Sequence, residues 1–278
     1  MVLIDYLFEW HRFTFYGVAF LGIILLRYFA IAGSLHLFFY SAIGNLLSQR
    51  VVPLSPPSGT SIRRDIKLSV CSAVIFALCA AAIVSGYDAG ISRLYSDIHA
   101  YGLWYLGISY VLVLLLQDTY FYFIHRLFHH PKLFRWFHQG HHRSSRPTPW
   151  TSFAFDPAEA AIQSLFLIAI VLILPLHFIT VIAVLITMTV WAVVNHLGLD
   201  LFSPAFPHHW LGRWLIGPAH HSIHHDRYRM HYGLYFTFWD RLLGTNDLNY
   251  DRNLFEDVEI EIVDRQLLEP ILQDSSMK

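Results

Sequence analysis

His125 and His129 stand four residues apart, His138, His141 and His142 follow after nine more, and the same i, i+3, i+4 spacing returns at His221, His224 and His225. Residues three and four apart share one face of a helix, so each group can present its imidazoles in one direction. Imidazole is polar and costs free energy to bury without a partner. Clustered rings also repel one another when protonated, and a metal ion removes both penalties by taking up the neutral nitrogens. The rings exceed the four ligands of a structural zinc site and the three of a catalytic one; they suit two ions. Imidazole accommodates Fe, Zn, Cu or Ni, so ligand type alone does not name the metal. No HExxH occurs, which disfavours a zinc membrane protease. The two cysteines, Cys71 and Cys79, lie eight apart in an apolar run, about 12 Å along a helix, too far for a mutual disulfide. Two thiols are also too few for an iron–sulfur cluster or an all-thiolate zinc site.

The elements that must position these rings are written for lipid. Hydrophobic residues make up 55% of the 278-residue chain and charged residues 14%, against about 25% charged in soluble domains. The 22 Phe, 15 Tyr and 8 Trp argue against disorder or low complexity. A net charge of −1 gives no basic field for nucleic acid. Residues 1–15 are not read as a cleaved targeting peptide. Apolar stretches run over roughly 16–43, interrupted by Arg27, then 68–86, 101–124, 160–174 and 178–195. The first three reach the length of about 20 residues that a crossing takes. The last two, divided by Pro175 and His177, predict short crossings or a re-entrant hairpin.

Either choice leaves segments 44–67, 125–157 and 196–278 on one side with 16 basic residues, against Arg12 and Arg93 on the other. Basic residues accumulate on the cytosolic side, so the expectation is a multi-pass protein whose histidine segments are cytosolic. Fourteen of the 18 histidines fall on those segments; His11, His36, His99 and His177 are scattered and read as packing or interface residues. The aromatics Tyr120 to Phe123, Trp136, Trp150, Trp210 and Trp214 fit interface anchoring or the lining of a lipid channel.

The three histidine boxes, with Asp118, His125-Arg126, Asn195-His196-x-Gly198, Tyr232-Gly233 and Trp239-Asp240-Arg241-Leu242-Leu243-Gly244-Thr245 around them, resemble the membrane fatty acid hydroxylase and sterol desaturase superfamily over about residues 100–246. The resemblance implies an all-α integral membrane helical bundle under a cytosolic histidine-rich cap that holds a di-metal site. It divides the chain into N-terminal transmembrane helices (1–99), a di-iron catalytic domain (100–246) and an acidic tail (247–278). It implies two Fe ions, with Zn able to replace them in a purified preparation, held by His125, His129, His138, His141, His142, His196, His221, His224 and His225. Asp200, His208 or His220 is left to complete the ligand set. His130 could stand in for His129, which is preferred, and His208, His209 and His231 read as surface or supporting residues.

Asp118, about two turns below His125, is expected to act at the site by orienting a ligand imidazole through its second N–H or to make a polar contact within the bundle. Gly233, Gly244 and Trp239-Asp240 are expected to shape turns. The implied reaction is O2-dependent oxidation of a sterol, fatty acyl or other long apolar lipid, with hydroxylation expected ahead of desaturation. The sequence carries no dinucleotide fingerprint and no haem or cluster motif, so a separate ferredoxin- or cytochrome-type donor with its reductase is expected. Two other readings compete. A divalent-metal transporter would place ligands near the bilayer middle, where only His36 lies well inside an apolar run. A metal-dependent membrane hydrolase would need a base carboxylate near the metal, for which Asp226 is the nearest candidate.

Overall fold

A chain inside a bilayer must satisfy its backbone N–H and C=O groups within the crossing segment, and a helix does so. The computed structural model, which describes residues 10–40, 58–198 and 210–247, is accordingly built from helices. The long ones are α1 (Trp10–Phe39), α2 (Gly59–Asp88), α3 (Leu103–Phe128), α6 (Pro157–Ile173) and α7 (Phe178–Asn195). Short ones complete the cap: α4 (Pro131–Phe137), α5 (Gln139–His142), α8 (Pro218–Arg227) and α9 (Phe238–Leu242). Helices α1, α2, α3 and α7 are long and apolar enough to cross a membrane, whereas α6 is shorter. Many of their large apolar side chains face outward, Val18 at 72% and Leu26 at 73% exposure among them. Such an outside is favourable only in lipid.

Helix α1 runs unbroken past Arg27, because the half-buried guanidinium lies over the Phe153 ring, 5.8 Å from its centroid. Helix α2 starts well before the apolar run, at the Ser58 cap whose hydroxyl accepts from the Ser61 N–H, and so takes in Arg63, Arg64 and Lys67. Its buried stripe of Asp65, Ser69, Ser72, Ala73, Ala77 and Ala81 is small-residued, which lets α1 approach closely. Ile24 packs there on Ala73 and Ala77. A second core joins α3, α6 and α7 through Val113, Phe166, Ile170, Val171 and Val184.

Non-local pairing fixes where the α6–α7 turn lies in the bundle. Strand β1 (Leu94–Tyr95), in the α2–α3 connection, pairs in parallel with β2 (Leu176–His177), in the α6–α7 turn, and the Arg93 N–H donates to the Val171 carbonyl. The α6–α7 turn therefore reaches the same end of the bundle as the α2–α3 connection. The opposite ends of α6 and α7 carry Glu159 and His196, at the histidines. At 17 residues α6 is about 26 Å long, which suffices for that span.

The cap is tied to the bundle by buried carboxylates. Asp65 on α2 accepts from the Ser144 hydroxyl (2.6 Å) and the Thr151 hydroxyl (2.8 Å), fixing the chain just after His142. Trp150 packs against Tyr28, Phe29 and His36, while Trp136 is 67% exposed. The segments holding Ser145 and Ser222 meet at one end of this bundle. In a chain freed of Cys71 and Cys79, cysteines at these two positions are expected to react with an impermeant maleimide from the same side of the membrane. Labelling from opposite sides would contradict the fold.

Candidate metal centre

Each histidine box is positioned by a helix end. His125 occupies the last turn of α3 and His129 is its C-terminal cap. The next residue, His130, is exposed and caps α4, accepting from the Lys132 N–H, so it takes no part in the cluster. His138 precedes the single turn of α5, which carries His141 and His142. His196 caps α7. Pro218 opens α8, whose one buried face holds His221, His224 and His225.

The nine rings come together in two groups. His125, His129, His138, His142 and His224 form one, and His141, His196, His221 and His225 the other, each offering ligand nitrogens within 4.8 Å of one another. The groups adjoin, with ring centroids 5.0 Å apart for His138 and His141 and 4.6 Å for His142 and His225. The i, i+3, i+4 spacing serves both: His221 and His225 turn to one group while His224 turns to the other.

Proton counting shows what these groups fit. The Nδ1–H of His125 donates to the Tyr232 carbonyl (3.0 Å), and His138 Nδ1 bonds the Glu159 carboxylate (2.8 Å). With Glu159 ionised, both neutral rings carry a bare lone pair on Nε2, and these two atoms face each other at 2.9 Å. In the second group the Nδ1–H of His141 donates to the Ala154 carbonyl and that of His196 to the Ala192 carbonyl. Their Nε2 atoms again approach, to 3.3 Å. Two lone pairs cannot hydrogen-bond; a cation between them turns repulsion into ligation. Nitrogens about 2.1 Å from one ion, at angles of 90–110°, stand about 3 Å apart, which matches these separations. Burial also favours the neutral, metal-binding ring: it pushes His141 down to about 4 and His196 to about 3, and holds His138, His142, His221, His224 and His225 well below the usual range. The donor set therefore fits two nitrogen-ligated transition-metal ions.

Asp118 reaches the site at one remove. Its Oδ1 accepts from the backbone N–H groups of Leu234, Tyr235 and Phe236 at 3.2, 2.7 and 3.1 Å, and this loop begins at Tyr232, the carbonyl partner of His125. Asp118 is thus a positioning residue acting through backbone, not the imidazole-orienting carboxylate that its spacing from His125 suggests. That carboxylate is Glu159, buried at 0% exposure at the start of α6. Sequence reasoning missed it, although an acidic residue entering an apolar run is a usable signal. Asp240 clamps the same loop by accepting from the Tyr232 and Gly233 N–H groups, and a Cβ on Gly233 would stand 2.4 Å from the Phe236 carbonyl oxygen. Of the two expectations for His231, surface or supporting, its burial rules out the surface one, and its ring lies 4.9 Å from that of His220. His220 accepts from the Gly217 N–H and joins neither group. Asp200, His208 and His209 lie outside the described residues.

A family model described as fatty acid hydroxylase matches residues 110–245, the segment that contains all nine histidines. A Delta(7)-sterol 5(6)-desaturase of Gibberella zeae is 33% identical over 185 residues, 66% of this chain and 56% of that protein. The lathosterol oxidase of Homo sapiens is 33% identical over 186 residues, 66% of this chain and 60% of that protein. The chain belongs to the fatty acid hydroxylase and sterol desaturase superfamily. Another superfamily relative, a Delta(7)-sterol 5(6)-desaturase of Aspergillus fumigatus, is 29% identical over 236 residues, 77% of this chain and 72% of its own. The matches span little more than half the length of the first two relatives. No solved structure matches this superfamily member.

Carboxylates behind ligand imidazoles tune metal affinity about 10–100-fold. Glu159→Gln, with the same shape and no charge, is therefore expected to lower metal retention at the five-histidine group, so that bound metal falls from two toward one per chain after chelator challenge. Retention of two ions by a folded Glu159→Gln protein would show that the carboxylate is only packing.

Proposed function

We propose that the chain is an O2-dependent oxidoreductase that oxidises a C–H bond of a membrane lipid, with two irons held by the nine histidines of the two groups. The observation that carries this reading is the pairing of bare Nε2 lone pairs in two adjoining buried groups at the end of an apolar bundle. The relatives' names favour a sterol-like substrate and double-bond formation ahead of the hydroxylation expected from the sequence. Desaturation takes the lipid, O2, two electrons and two protons to the alkene and two waters; hydroxylation takes the same inputs to the alcohol and one water.

When bound, the irons supply the reductive activation of O2. The chain's own residues do the rest. Carbonyls of Tyr232, Ala154, Ala192 and Met230 fix the imidazoles in the tautomer that leaves Nε2 free. Glu159 sets the orientation of His138. Asp118 and Asp240 hold the Tyr232 loop rigid. Burial of the rings keeps bulk water from the site, which protects reactive chemistry. The electrons come from a separate protein carrier of ferredoxin or cytochrome type with its reductase, and the exposed Arg126, Lys132, Arg135, Arg227 and Arg229 near the site suit an acidic one. With the histidine end cytosolic, as the basic-residue asymmetry indicates, that carrier is cytosolic or anchored on that face.

The transporter reading loses ground because the rings gather at helix ends rather than within broken helices at mid-bilayer. The hydrolase reading loses its base, since Asp226 is exposed. Lipid mass spectrometry of cells carrying the active chain or a His142→Ala variant tests the proposal. Only the active chain should yield a lipid lighter by two hydrogens or heavier by one oxygen, and the variant should also retain less iron. Identical lipid profiles in sterol-containing hosts supplied with a compatible donor would overturn it.

A further inference from the structure

Away from the histidines, a cleft of about 370 Å³ opens on the flank of α3, between Leu115 and Thr119 on one side and Trp214, Phe238 and Trp239 on the other. Its volume is near the lower end for ligand sites. Its polar groups are already satisfied: the Trp239 indole N–H donates to the Thr119 hydroxyl at 3.1 Å, and Asp118, at the floor, is engaged by the three backbone N–H groups of residues 234–236. What the walls offer a ligand is therefore apolar contact. The cleft adjoins the outward face of α3, where Leu115 is 49% and Leu116 39% exposed.

The rim is of opposite character. The guanidinium groups of Arg213 and Arg241 both lie over the Trp214 ring, 5.1 and 5.8 Å from its centroid. Arg241 Nε donates to the Arg213 carbonyl and the Thr237 hydroxyl, which fixes where its remaining N–H groups point. Both arginines are exposed, and among the described residues no carboxylate forms an ion pair with either. Two like charges gathered on one indole beside an apolar cleft await an anion that is attached to a hydrocarbon chain. Tryptophan and arginine at a membrane boundary are the residues that hold such a molecule, and guanidinium groups bind phosphate with paired N–H donors.

We propose that this cleft is a binding site for an anionic phospholipid, with one acyl chain lying against Leu115, Phe238 and Trp239 and the headgroup phosphate on Arg213 and Arg241. The site is distinct from the two histidine groups, and Asp118 at its floor links it to the loop that begins at Tyr232. A bound lipid would brace α3 against the 212–214 and 238–242 segments, and so the loop that Asp118 holds.

The test is native mass spectrometry of the full chain, purified in detergent and stripped of lipid, titrated with dioleoyl phosphatidylglycerol, dioleoyl phosphatidylcholine or inorganic phosphate. Two basic groups at a membrane surface predict a preference of about 30-fold for phosphatidylglycerol over phosphatidylcholine. Arg213→Gln with Arg241→Gln should bring the two lipids level, and Leu115→Trp, which fills the cleft, should weaken both lipids about tenfold or more. If the double variant does not fold by circular dichroism, Arg213→Gln alone should cut the preference about fivefold. Equal binding of the two lipids by the unaltered chain, a preference that survives loss of the arginines, or displacement of phosphatidylglycerol by equimolar phosphate would each overturn the proposal, the last in favour of a simple anion site.

Discussion

Bare imidazole lone pairs held face to face are the constraint on which the rest of the structure depends. His125 and His138, and likewise His141 and His196, are each committed through Nδ1 to another acceptor, so no proton is left to bridge their Nε2 atoms. Without a cation the arrangement is repulsive and buried, and the backbone must be stiff enough to hold it. The fold provides that stiffness with helix ends. The Ala192 carbonyl in the last turn of α7 accepts both the backbone N–H of His196 (3.3 Å) and its ring Nδ1–H (2.6 Å), so the cap residue is held by backbone and side chain together.

The buried carboxylates follow the same logic. Asp65, Asp118 and Asp240 spend their oxygens on hydroxyl and backbone donors of the loops that follow or support the histidines. Hydrogen bonds to charged acceptors are about twice as strong as neutral ones, and breaking a buried one leaves a desolvated group behind. Short cap segments with little apolar surface are in this way fixed as firmly as the long helices. Glu159 alone among these carboxylates bonds a ring, which gives the five-histidine group a carboxyl support that no carboxylate hydrogen bond supplies to the four-histidine group among the described residues.

How much was legible in the sequence follows from range. The i, i+3, i+4 boxes and the apolar runs are local patterns, so eight of the nine histidines, the helical class and the membrane character could be read from spacing and composition, while His196, which stands in no box, came only with the family resemblance. Pairings across the chain could not. Glu159 lies 21 residues from His138, the loop bound by Asp118 lies more than a hundred residues from it, and the β1–β2 pairing that makes α6 and α7 run the length of the bundle joins two strands of two residues each. The choice between a surface and a supporting place for His231 was not legible either, since its burial arises in a segment with a left-handed backbone at that residue, φ +58°. Arg27 looked like an interruption because sequence does not show that Phe153 would lie beneath it.

The position of the centre at the end of the bundle follows from these same needs. Gathering nine rings takes the C-terminal ends of α3 and α7, the turn at His138, the single-turn α5 and the ten-residue α8. Irregular backbone of that kind leaves N–H and C=O groups that hydrocarbon cannot satisfy. At mid-bilayer each would need a protein partner; at the end of the bundle, hydroxyls, carboxylates and solvent supply them. The apolar helices therefore do not contain the chemistry but set its boundary, with α3, α6 and α7 each delivering one polar side chain, His125, Glu159 or His196, at the level where the cap can meet it. A lipid substrate on the proposed reading would meet the metals at that boundary, the depth at which an apolar skeleton can stay in the membrane while one carbon reaches a polar, water-poor site.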